Sequence, residues 1–115
     1  MIDLAFDDGY HAMNLPDVTY DAIFSSHFLE HYVGRFQEVI EYWLTKIHSG
    51  GVIFLYLPDM SQQQYWAWGN TKHIHHLTPS MMIDFCIDLI VKELISDFTV
   101  SETDLNCSFY CIIEK

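Results

Sequence analysis

The 115-residue chain is one small domain at most, with half of its residues apolar and 16% aromatic, a composition that excludes disorder. Sixteen acids against five bases leave a net charge of -11, which repels phosphate backbones and argues against a nucleic-acid partner; a small or cationic ligand fits better. The longest apolar runs, such as Val52 to Leu57, fall far short of the about 20 residues a membrane span needs.

The N-terminal run Met1-Ile2-Asp3-Leu4-Ala5-Phe6-Asp7-Asp8 lacks the basic flank and apolar core of a signal peptide. Asp21 to Phe24 is a short apolar run closed by Ser25-Ser26 and reads as a buried strand. From Val33 to His48 the residues Phe36, Val39, Ile40, Trp43, Leu44 and Ile47 fall at i, i+3, i+4, i+7, i+8 and i+11, one stripe of a helix. Lys46 and His48 would complement its last turn, and Gly50-Gly51 would supply a left-handed stop. Val52 to Leu57 is apolar at every position, as in a parallel strand covered on both faces, and Pro58 ends it. Strand, helix and strand together predict a crossover unit.

Residues 60–77 are rich in Gln, Trp and His without a period and read as a long surface excursion. Thr78-Pro79 then offers an N-cap with proline at the first helical position. Met82, Phe85, Cys86, Leu89 and Ile90 continue as a second stripe, to about Lys92. Ile95 to Val100 and Ser108 to Glu114 read as an antiparallel pair at one side of the sheet. Cys86, Cys107 and Cys111 are an odd set without a C-x-x-C; small buried hydrophobes, reduced in a cytoplasm, are expected.

His27-Phe28-Leu29-Glu30-His31 matches the H-x-x-E-H string of one class of zinc peptidases. That motif sits inside a helix, whereas His27 directly follows a strand and the helical stripe begins only near Phe36. No stoichiometric zinc is therefore expected. A strand's carboxyl end is instead where open α/β sheets place their ligands.

Taken in order, "LPDVTYDAIFSSHFLEHY", a helix, "GGVIFLYLPD" and "HIHHLTPSMMIDF" resemble the second half of class I S-adenosylmethionine-dependent methyltransferases of the type 11-like kind, above all small-molecule and sugar-modifying members. The resemblance covers nearly the whole chain. It implies one domain over residues 1–115, α/β in class: a Rossmann-like methyltransferase fold that is incomplete at its N-terminus, lacks the first βαβ unit and closes with the antiparallel strand pair.

For the site, the resemblance implies S-adenosylmethionine as cofactor, with Phe24, Ser25, Ser26 and His27 flanking its methionine end. His11 and Ala12 fall where the family commonly has Asp-Ala facing the adenine, so an imidazole replaces a carboxylate. His27 and His31 are candidate general bases, since histidine titrates near neutrality. Trp66, Trp68, His73, His75 and His76 precede the last helix, where related enzymes close over the acceptor. The same rings could instead pack on the fold's own edge. As a metal site, H-x-H-H lacks carboxylate or thiolate partners, and no metal is assigned.

The glycines are Gly9, Gly34, Gly50, Gly51 and Gly69, with no G-x-G to hold the cofactor's carboxylate and ribose. Two expectations stand. The chain is the substrate-side part of a cytoplasmic methyltransferase acting on a small molecule, or it is an inactive remnant serving as an interaction module. Either way the strand ending at Phe24 would have an open edge, which predicts a homodimer or a complex with a chain supplying the missing half.

Overall fold

The computed structural model describes residues 2–3, 13–26, 29, 34–59, 77–105 and 107–115. Its elements are β1 (Ile2–Asp3), β2 (Tyr20–Ser26), α1 (Phe36–Leu44), β3 (Ile47–Pro58), α2 (Pro79–Val91), β4 (Asp97–Val100) and β5 (Ser108–Glu114). They form one sheet in the order β1-β2-β3-β5-β4, in which β1, β2 and β3 are mutually parallel and β5 is antiparallel to both of its neighbours.

The stripe predicted from Phe36 onward is the buried face of α1, with Trp43, Val39 and Ile40 wholly enclosed. The helix is shorter than its periodicity implies, because it ends at Leu44 and not near His48. Ile47 is buried, but as the first residue of β3, paired with Tyr20 of β2. Lys46 does not cap the last turn; its ammonium lies 3.5 Å from the Pro16 carbonyl and over the Tyr42 ring. That capping role falls to Lys115, whose ammonium donates to the carbonyls of Leu44 at 2.6 Å and Ile47 at 3.0 Å. Sequence separation hides this partner, which meets the negative end of the helix across the whole fold.

Gly50 and Gly51 consequently lie inside β3. The register jumps from Tyr20↔Ile47 to Ala22↔Val52, so His48, Ser49 and Gly50 bulge outward, exposed, with Gly50 at φ +87°. Beyond the bulge β3 pairs continuously with β2 on one side and β5 on the other.

The Thr78 side chain accepts from the Met81 amide at 3.2 Å and Pro79 opens α2, as the N-cap pattern predicts. Met82, Phe85, Cys86 and Leu89 are buried; Ile90 is 38% exposed, because at 3.6 residues per turn it has drifted off the stripe. Phe36 of α1 meets Phe85 of α2 edge-on at 5.5 Å, and both helices share one core cluster with Ile23, Ile53, Leu55 and Ile113 of the sheet. Both helices therefore cover the same face.

The open edge expected on β2 needs correction. β1 lies along it in parallel, pairing Ile2 with Ile23 and Asp3 with Phe24. A two-residue strand has no period by which sequence could announce it.

Candidate functional site

The carboxyl ends of the adjacent parallel strands β2 and β3 converge, with Ser25 opposite Leu55 and Ser26 opposite Tyr56. This is the crevice where open α/β sheets take ligands. Alternation along β2 separates its residues: Ser25 points under the helices, fully buried, while Phe24 and Ser26 are half-buried on the opposite face. Phe24 stacks on Phe54 of β3, with centroids 5.3 Å apart.

Among the described residues Ser25 is the one with a buried side-chain oxygen that lacks a hydrogen-bond partner. An unmatched buried hydroxyl costs about 1 to 3 kcal/mol. Its persistence at a strand's carboxyl end marks a place where a ligand atom could supply the missing bond.

Beyond Pro58, Asp59 is 3% exposed and accepts a hydrogen bond from the Thr103 hydroxyl. Its amide donates to the Cys107 carbonyl at 2.9 Å. Asp104 receives the Tyr56 hydroxyl and, at 3.1 Å, the Ser108 amide. The loop between β4 and β5 is thereby tied down over the end of β3, with Cys107 at φ +56°. Asp59 is the site residue that sequence reasoning missed. An acid directly after an all-apolar strand was the available signal, because a carboxylate there must be either solvated or held.

His11, Ala12, His27, His31, Trp66, Trp68, His73, His75 and His76 lie outside the described residues. Of the predicted site, Phe24, Ser25 and Ser26 are described, and they do not share one face. No group of three or more metal-ligating side chains occurs among the described residues, and no helix of theirs is long and apolar enough to cross a membrane.

Cys86 of α2 and Cys111 of β5 lie between the layers with their sulfurs 3.8 Å apart. The hydrogen bond that the Cys111 thiol shares with Cys86, together with burial, pushes Cys111 above its ordinary range. Cys107 is half-buried. The native protein is expected to titrate one thiol rapidly with a disulfide reagent and two more only on unfolding. Three fast thiols would mean that α2 does not stay docked on β5.

No protein-family model matches the chain, and no curated protein does. Solved structures do. The DhpI-SAM-HEP complex matches at TM-score 0.64 and 15% identity, over 92% of this chain and 56% of that one. Human N-acetylserotonin methyltransferase in complex with SAM matches at TM-score 0.65 and 13% identity, over 92% of this chain and 32% of that one. The plantazolicin methyltransferase BpumL in complex with SAH matches at TM-score 0.61 and 9% identity, over 86% and 53% respectively. At these identities the likeness is one of fold, and the chain spans between a third and somewhat over half of each neighbour.

Proposed function

We propose that the chain is the substrate-side part of an S-adenosylmethionine-dependent methyltransferase acting on a small molecule, a sugar or another ring-bearing acceptor. The observation that carries this reading is the paired carboxyl ends of β2 and β3, with the orphan hydroxyl of Ser25 at their centre, in a fold shared with methyltransferases over about nine-tenths of the chain. A hydroxyl can donate or accept, and so suits either the amino or the carboxylate group of a methionine moiety.

Once bound, S-adenosylmethionine supplies an electrophilic sulfonium methyl, which leaves alignment of the acceptor and exclusion of water to the protein. Ser25, Ser26 and His27 would hold the methionine end, and His11 and Ala12 the adenine. His27 or His31 would accept a proton where the acceptor must lose one. Trp66, Trp68, His73, His75 and His76 would offer ring faces and imidazoles to the acceptor. Asp59, fastened to Thr103, keeps the β4–β5 loop seated at the end of β3 and so shapes the mouth between the strands. A cytoplasmic setting accords with Cys86, Cys107 and Cys111, which form no disulfide.

The second reading, an inactive module that works by association, as a homodimer or in complex with a chain supplying the missing half, is favoured by the lack of any described helix on the second face of the sheet. Calorimetry separates the two. The purified chain is expected to bind S-adenosylmethionine at millimolar concentration, about 4 kcal/mol weaker than a micromolar site, for want of a glycine-rich turn. Ser25→Ala should abolish that binding while leaving the protein as stable or slightly more so, since an unmatched buried hydroxyl is removed. Micromolar binding by the monomer would show that the cradle is already complete; binding untouched by Ser25→Ala would remove Ser25 from the site.

A further inference from the structure

The helices α1 and α2 pack on one face of the sheet, and no described helix lies on the other. Phe24, Phe54 and Tyr110 form a continuous stacked row across β2, β3 and β5 on that second face, with neighbouring centroids 5.3 Å and 5.8 Å apart. Val52 and Ile112 extend the row, half-buried, and Tyr110 keeps 38% of its surface in contact with solvent. Parallel sheets are normally covered by helices on both faces, since their strands carry apolar side chains on both. Here the second apolar surface is present, and it is only partly shielded.

Charge says what kind of segment fits. Beside the Tyr110 end of the row, Asp97 of β4 and Glu114 of β5 are register partners, both exposed, and Glu102 is exposed on the loop that joins those strands. Every described cation is occupied elsewhere: Lys115 at the end of α1, Lys92 on Asp88, Arg35 on Glu38 and Lys46 at Pro16. An aromatic strip with acids along its β4–β5 side, and with no base of its own among the described residues, is complementary to an amphipathic helix whose apolar stripe is flanked by lysine or arginine. A second copy of the chain would bring another charge of -11 and the same acids against themselves.

We propose that the Phe24–Phe54–Tyr110 face is the docking surface for a basic amphipathic helix of a different polypeptide. The aromatic rings supply burial, and the acids on the β4–β5 side orient the helix and speed encounter. The inference does not depend on methyl transfer, so loss of cofactor binding leaves it standing.

The test uses the full chain and a fluorescent synthetic helix of about 18 residues, five turns, with leucine on one face and lysine on the flanks. A second peptide carries glutamate in place of the lysines. Anisotropy is expected to show the lysine peptide binding at least about tenfold more tightly than the glutamate peptide at physiological salt. Tyr110→Ser should weaken it several-fold, whereas Ile87→Ser, on the exposed side of α2, should not. Because Tyr110→Ser could disturb the sheet, the exposed pair Asp97→Lys and Glu114→Lys serves as a second arm and should shift preference toward the glutamate peptide. Equal binding of both peptides, or equal losses from Tyr110→Ser and Ile87→Ser, would overturn the proposal. So would a homodimer in sedimentation that Tyr110→Ser disperses, because the face would then be a contact between copies.

Discussion

Trp43→Ala is expected to unfold a large share of the protein. The side chain is among the largest that are wholly enclosed, at the centre of α1's apolar stripe, where the helix meets the sheet. Removing such a ring costs about 3 to 5 kcal/mol in lost transfer energy and residual cavity. A domain of this size commands about 5 to 15 kcal/mol in total, toward the lower end for so short a chain. With a urea slope of about 1 to 3 kcal/mol per molar, the midpoint should fall by more than 1 M. Far-UV circular dichroism is the suitable probe, because Trp66 and Trp68 would confuse a fluorescence signal. A midpoint within a few tenths molar of the parent would mean that α1 does not rest on the sheet as described.

Gly51→Ala should be nearly as damaging, for a different reason. A methyl placed on Gly51 meets the Asp21 carbonyl oxygen at 2.9 Å, the His48 carbonyl oxygen at 3.0 Å and the Ile47 Cβ at 3.3 Å. Two of the three are backbone atoms, so no rotamer change relieves the contact; β2 or the bulge of β3 must move. Overpacking of this kind costs about 1 to 3 kcal/mol. The Lys115 amide also bonds the Gly51 carbonyl at 2.9 Å, which couples the shift to the end of β5. Gly50→Ala is the matched comparison, since its added methyl meets nothing within 4 Å and only φ +87° opposes it. That strain is worth about 1 to 2 kcal/mol. Gly51→Ala is therefore expected to melt below Gly50→Ala, and the reverse order would mean that the bulge yields freely.

Helix faces were legible because burial follows a period: the stripe through Val39, Ile40 and Trp43 and the one through Met82, Phe85 and Leu89 are both enclosed. The Thr78-Pro79 start was legible because capping is local chemistry, completed within three residues. The end of α1 was not. Ile47 satisfies the helical period and a strand's first position equally, and only pairing with Tyr20 decides between them. Long-range partners escaped for the same reason, as with Lys115 at the end of α1 and Thr103 on Asp59. At the candidate site the order of Phe24, Ser25 and Ser26 was visible, but not its consequence. Strand alternation sends Ser25 into the core and its neighbours outward, which becomes readable only once the covered face of the sheet is known.

The order β1-β2-β3-β5-β4 sets a schedule for the ribosome. The strand that fills the gap between β3 and β4 is made after both of them, so each emerges with a side it cannot yet satisfy. At about 5 to 20 residues per second, β3 waits some seconds for Ser108–Glu114 to appear, long enough for a holding chaperone to bind or for two nascent chains to meet. A premature stop between β4 and β5 would strip a partner from two strands at once. Such fragments should leave the ribosome as clients of protein quality control, whatever helices they already contain.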